Sequence, residues 1–254
     1  MRLSVCLPCF YNFKEITVQD AVRKAAALGY DAVEMWKAPE DLDPEAVAAA
    51  CRECGVTFAA MCTNEFHMTA DGDIPAYLEG LKSACETAKR MGVKKLISQV
   101  GPDTGAPREQ QHANIVRCLK EAAKVLEAYD VMLVIEPLNV LVNHKGYYLW
   151  SAVEGFDIIR EVGHPLVRLL FDIYHQQVSE GNIIANVTGN IDLVGHLHSA
   201  GCPGRHELQT GENDYRRIFE EIDKAGYTGV CALEYKPLLP PEESLAKTLE
   251  LYGK

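Results

Sequence analysis

Four short apolar runs in the second half of the chain each end in a side chain able to bind a metal ion. They are MLVIE ending at Glu136, VRLLFD ending at Asp172, LVGHLH ending at His198 and VCALE ending at Glu234. Successive ends are 36, 26 and 36 residues apart, close to the length of one strand–helix unit. A buried strand rarely ends on an ionisable group by accident, because an unpaired charge there is costly. Four such ends in consecutive units point to one place where the strands converge. Three carboxylates and one imidazole form a ligand set for a divalent cation. Chelation of a carbonyl and a neighbouring hydroxyl by such a cation polarises the carbonyl and acidifies the adjacent C–H. Glu136 and Glu234 then suit proton removal and return beside that carbonyl. Return to the neighbouring carbon is aldose–ketose isomerisation. Return to the same carbon from the other face is epimerisation.

Several neighbours extend the constellation. Asp172 and His175 stand together in FDIYH, where Asp172 is either a helix N-cap or a ligand. His196 and His198 alternate along one strand and so face the same side. His198, at the rim, is the better ligand, and His196 lies one layer deeper as a satisfied or supporting histidine. Arg205, in the following loop, is a fixed cation able to stabilise negative charge on an enediolate. Glu207 either orients Arg205 or faces solvent. Glu34 and His67, placed after the second and third strands, are candidates for binding substrate hydroxyls.

The elements that must position these groups alternate regularly. Strands are expected at 3–7, 32–35, 56–62, 94–100, 131–136, 167–172, 193–198 and 230–234. Helices are expected at 21–28, 44–54, 74–91, 108–129, 151–162, 215–225 and 242–251, with Gly55 and Gly92 as C-terminal caps. A weaker helix is expected within 176–190, where VSEGNIIANVTGN lacks a clean 3.6-residue period. Continuous apolar strands alternating with helices imply a parallel sheet covered by helices. Eight such units favour closure into a single (β/α)8 TIM barrel occupying residues 1–254 as one domain. The long segments 101–107, 137–150 and 199–213 all follow strands, on the rim where barrel enzymes place their chemistry.

Composition narrows the function classes. The chain has 254 residues, 48% hydrophobic and 24% charged, which is ordinary globular composition with enough length for a closed core. A net charge of −11 with no dense Lys/Arg cluster argues against a nucleic-acid partner. No apolar run reaches membrane-spanning length, and MRLSVCLPCF is too short and interrupted for a secretory signal. Nine cysteines without such a signal indicate a reducing compartment, so a cytoplasmic location is expected. The two CxxC pairs, Cys6/Cys9 and Cys51/Cys54, fall at a strand end and a helix end. These lie on opposite rims of a barrel, so the pairs read as separate thiols rather than one zinc site.

The motifs VIEPLN, FDIYHQQ, HLHSAGCPGRHE, TGEND and LEYKP resemble the xylose-isomerase-like barrel superfamily, in particular hydroxypyruvate isomerases and 2-oxo-tetronate isomerases. The resemblance covers essentially the whole chain and is densest from Val134 to Pro237. It implies a divalent ion (manganese, magnesium, cobalt or zinc) bound by Glu136, Asp172, His198 and Glu234. It implies Glu136 and Glu234 as the acid/base pair, with His175 and Arg205 contacting a small hydroxy-carbonyl or sugar substrate. By analogy it also implies a homo-oligomer, a dimer or tetramer. Hydroxypyruvate isomerases carry Gln at the position of His198, whereas ketose 3-epimerases carry His, so this chain mixes the two signatures. The segment NVLVNHKGYYL also departs from the usual one after the EPLN motif. The expected function is a metal-dependent isomerase of the hydroxypyruvate isomerase type, with a ketose 3-epimerase as the alternative. A zinc endonuclease would need further histidine ligands and a basic track. An inactive sugar-binding barrel would not need the Glu136/Glu234 pair.

Overall fold

A computed structural model describes residues 1–36, 39, 42–63 and 67–252. Eight parallel strands close on themselves in chain order: β1 (Arg2–Cys6), β2 (Ala32–Met35), β3 (Thr57–Cys62), β4 (Lys95–Ser98), β5 (Met132–Ile135), β6 (Val167–Asp172), β7 (Val194–Ser199) and β8 (Val230–Leu233). The expected (β/α)8 barrel is the observed fold. Helices over Pro44–Cys54, Ile74–Met91 and Arg108–Tyr129 match the periodicity residue for residue. Gly55 and Gly92 close the first two in the left-handed conformation. Among the described residues no helix is long and apolar enough to cross a membrane.

The sixth unit differs from expectation. In place of one weak helix there are two short ones, Ile173–Ser179 and Ile183–Thr188. The first starts three residues earlier than the apolar pattern shows, because Asp172 caps it. Its Oδ1 accepts from the backbone N–H groups of Tyr174 and His175 at 2.7 and 3.1 Å. Gly181, with φ of 65°, separates the two helices.

Two residues offset from the regular ladder decide which side chains enter the barrel. Pairing between β6 and β7 slips at Leu169/Leu170, so that Gly195 is the extra residue of a bulge. Beyond the slip, His196 lies opposite Leu170 and His198 opposite Asp172. A Cβ on Gly195 would sit 2.7 Å from both Arg168 Cβ and Val134 Cγ1. Only glycine fits there, and the bulge brings His198 level with Asp172. A second slip, between β2 and β3, sets Glu34 opposite Ala60.

The Gly195→Ala variant is expected to lose about 1–3 kcal/mol of unfolding free energy through overpacking. Denaturant titration measures this, and an unchanged midpoint would contradict the close approach described.

Candidate active site and metal centre

The four strand ends meet. Glu136 directly follows β5, Asp172 ends β6, His198 is the penultimate residue of β7, and Glu234 directly follows β8. All four are buried, and one ligand atom from each lies within 4.8 Å of the other three. His198 Nδ1 is 3.2 Å from Glu234 Oε2 and 3.5 Å from Glu136 Oε1. Glu136 Oε1, Asp172 Oδ2 and His198 Nδ1 are buried with no hydrogen-bond partner. Buried polar atoms normally find partners, so these three orphans aimed at one point mark a place for a ligand. Trans ligands of a small divalent ion lie about 4 Å apart, so the cluster needs to close only slightly around one. The donor set therefore fits a divalent cation.

Each ligand candidate is held by its own support. Asp172 divides its work, Oδ1 capping the short helix and Oδ2 facing the cluster. The cap is thus observed, and Oδ2 is left without a partner. Glu234 is gripped from two directions. The Trp36 indole N–H donates to its Oε1 at 2.6 Å, and the Arg205 guanidinium pairs with its Oε2. Arg205 also lies 3.6 Å from Asp172 Oδ2 and sits over the Tyr174 ring. Its backbone, at φ of 58°, occupies the left-handed region, which costs a residue with a side chain about 1–2 kcal/mol. The loop holds it there: Arg205 N–H donates to Gly201 O at 2.8 Å, and Lys236 N–H donates to Arg205 O at 2.9 Å.

His175 is fully buried, and its Nδ1 accepts from the backbone N–H of Asn139 at 3.1 Å. Its hydrogen therefore sits on Nε2, 3.6 Å from Asp172 Oδ2. Burial pushes its pKa down to about 4 despite Asp172, leaving a neutral ring with one N–H offered to the cavity. Asn139 also accepts from Val142 and Asn143 N–H, tying the segment after β5 to this histidine.

A cavity of about 630 Å³ opens above the cluster. Glu136, Glu234, His198, His175, Arg205 and His67 all line it. Glu34 does not join them. It lies in β2, buried beneath the rim, with Oε2 2.7 Å from His196 Nε2 and Oε1 2.9 Å from His198 Nε2. The expected contact with substrate hydroxyls is thus replaced by contacts with two histidines. Glu207 also departs from expectation. It is buried, and its Oε1 accepts from Leu238 N–H, Leu239 N–H and the Ser244 hydroxyl, pinning the segment after β8.

Other wall residues carried no earlier expectation: Trp36, Gln99, His144, Lys145 and Tyr147. Trp36 had a signal, because it stands two residues after Glu34 and so shares its face of the strand. His144, Lys145 and Tyr147 come from the long 137–150 segment, whose path period alone cannot give. The Tyr147 hydroxyl accepts from Val100 N–H at 2.8 Å and donates to Glu136 O at 3.1 Å, which clamps the ends of β4 and β5. All nine cysteines are free, and none joins a ligand cluster among the described residues.

Burial and the crowding of charges set the electrostatics of the cluster. Burial pushes Glu136 up to about 7; contact with His198 opposes this, and repulsion from Glu234 and Asp172 adds to it. For His198, burial opposes protonation, but Glu34 and Glu234 outweigh it and raise its pKa well above the imidazole norm. Glu234 is held low in spite of burial, by His198 and Arg205.

A closed parallel barrel with two buried glutamates in a cluster of groups able to hold a cation is compatible with an enzyme of the isomerase class. Comparison with known proteins agrees. Residues 22–253 match the xylose isomerase-like TIM barrel family, and the chain belongs to that family. A putative hydroxypyruvate isomerase of Homo sapiens is 32% identical over 231 residues, covering 85% of this chain and 83% of the relative. The hydroxypyruvate isomerase of Escherichia coli (strain K12) is 35% identical over 170 residues, 66% of each chain. In fold, the chain is similar to a D-psicose 3-epimerase crystallised with D-tagatose, from Clostridium cellulolyticum H10. That likeness has a TM-score of 0.86 at 19% identity and covers 100% of this chain and 98% of the other.

Metal uptake should displace protons, because the free cluster holds one on His198 and shares one on Glu136 near neutrality. The sign follows: protons compete with the cation, so affinity rises as pH climbs through about 7. Calorimetry of manganese binding in buffers of different ionisation enthalpy measures the protons released. A pH-independent affinity with no proton release would contradict this electrostatic picture.

Proposed function

We propose that the protein is a metal-dependent isomerase that moves a proton between adjacent carbons of a small hydroxy-carbonyl acid of the hydroxypyruvate type. The observation that carries this reading is that Glu136 and Glu234 flank one cation cluster and both face the same cavity. A divalent ion held by Glu136, Asp172, His198 and Glu234 would polarise the substrate carbonyl and acidify the neighbouring C–H. One of the two glutamates takes the proton from the hydroxymethyl carbon, leaving an enediolate. The proton is then delivered to the former carbonyl carbon, and the hydroxyl hydrogen passes to the other oxygen, so the ketone becomes an aldehyde with no net change in atoms or electrons. The His175 Nε2–H and the Arg205 guanidinium, both at the cavity wall, orient the substrate and offset the enediolate charge. Lys145 and His67 also line the wall. Among the described residues Lys145 has no hydrogen bond or ion pair, and its ammonium suits a substrate carboxylate. The names of the two isomerase relatives support the same substrate type.

A second reading, ketose 3-epimerisation, has one observation in its favour. His198 completes the cation cluster with an imidazole, as in the epimerase signature, and the same glutamate pair would then exchange the proton across two faces of one carbon.

Incubation in deuterated water with manganese separates the readings. Hydroxypyruvate, tartronate semialdehyde and free ketoses serve as substrates. Carbonyl transfer between adjacent carbons of the acids supports the isomerase. Deuterium at C3 of a ketose with inverted configuration supports the epimerase instead. Finding neither carbonyl transfer nor label in any compound would contradict both. Glu136→Gln and Glu234→Gln should each lower kcat by about 10²–10⁴-fold with the fold intact by circular dichroism. Full activity in both variants would remove the proton-transfer pair.

A further inference from the structure

Beneath the cation cluster the barrel interior divides into an apolar half and a polar half. Ala60, Ile97, Val134 and Leu170 fill the apolar half. In the polar half Lys95, His196 and Glu34 form a chain of contacts that ends on His198. Lys95 Nζ is 3.4 Å from His196 Nδ1, and His196 Nε2 is 2.7 Å from Glu34 Oε2. Glu34 Oε1 is 2.9 Å from His198 Nε2, although the ring N–H is not aligned on it, so this is a close ionic contact rather than a linear hydrogen bond. Glu34, His196 and His198 are each no more than 1% exposed. Burying such groups is a poor route to stability, since well-packed apolar residues usually do as well or better. The chain of contacts therefore calls for another reason.

Donor and acceptor rules give the chain a direction. An ammonium can only donate, so Lys95 donates to a bare Nδ1 on His196. The hydrogen of that ring is then on Nε2 and goes to Glu34. A carboxylate can only accept, so the other Glu34 oxygen calls for a hydrogen on His198 Nε2. A neutral His198 with its hydrogen on Nε2 presents a lone pair at Nδ1. That atom faces Glu136 and Glu234.

We propose that Lys95, His196 and Glu34 are positioning residues that hold His198 in the one tautomer able to bind the divalent cation through Nδ1. The inference rests on the cation site proposed above. Glu34 plays the part of the carboxylate in a carboxylate–histidine–metal arrangement, and His196 with Lys95 sets the direction in which that carboxylate works. Glu34, His196 and His198 also lie close enough together to suggest a second cation position. The Lys95 ammonium beside His196 and the existing His196–Glu34 bond disfavour it.

The test is ¹⁵N NMR of the histidine-labelled full chain loaded with zinc, joined to cobalt titrations of variants. In the wild type, two-bond couplings should place the hydrogen of both His196 and His198 on Nε2, with His198 Nδ1 shifted by the metal. In Glu34→Gln the amide N–H₂ competes to face His198, and cobalt affinity should fall about 10–100-fold with a changed visible spectrum. Lys95→Met should give a smaller loss in the same direction, and decides the matter if Glu34→Gln does not fold. Coordination of His198 through Nε2, a second ion bound at Glu34 and His196, or a lowered unfolding midpoint with unchanged cobalt affinity would overturn the proposal. If the wild type itself takes up no divalent ion, the cation site fails. If it does and both variants bind equally, only the positioning chain fails.

Discussion

Three carboxylates brought together out of water are the constraint around which this barrel is built. Glu136, Asp172 and Glu234 converge within 4.8 Å of one another and of His198. At an effective dielectric near 20, each pair of ionised carboxylates at that range repels by about 3 kcal/mol or more. Solvent relieves this only in part, because all three are largely buried. Positive charge has to come from the protein, from a proton or from a cation. His198 and Arg205 supply part of it, and Glu136, pushed up to about 7, retains a proton for part of the pH range. A divalent ion would satisfy the remainder and occupy the orphaned atoms at the same time.

The scaffold is arranged to keep that repulsion tolerable while leaving the ligand atoms free. Asp172 spends one oxygen on the start of the following helix, so its other oxygen is fixed in direction. Glu234 is held by Trp36 and Arg205 on the cavity side. The bulge at Gly195 puts His198 level with Asp172, and below it Glu34 and His196 contact the far side of the His198 ring. Tyr147 and Asn139 tie the segment after β5 to the strand ends and to His175. The same set of restraints fixes the side chains that form the cavity wall beside the cluster.

The pattern of strands and helices was legible because apolar period and capping glycines are local properties. The four strand-end residues were legible for the same reason, each being the terminus of a readable run. What could not be read is what depends on through-space neighbours. Glu34 looked like a rim residue because it stands near the end of the second strand, yet it lies buried against His196 in the barrel interior. The slip between Leu169 and Leu170 leaves no mark in the sequence beyond one glycine. The sixth helix broke in two because capping by Asp172 and the left-handed Gly181 outweighed a weak amphipathic period. His144 and Lys145 reach the cavity through a segment with no period at all.

The central claim is that these four side chains form one cation site, and anomalous diffraction from crystals grown with manganese tests it most directly. The account predicts a single strong peak among Glu136 Oε1, Asp172 Oδ2, His198 Nδ1 and Glu234, at about 2.0–2.3 Å from each ligand atom. A peak lying instead among Glu34, His196 and His198, or no peak in protein saturated with the ion, would contradict it.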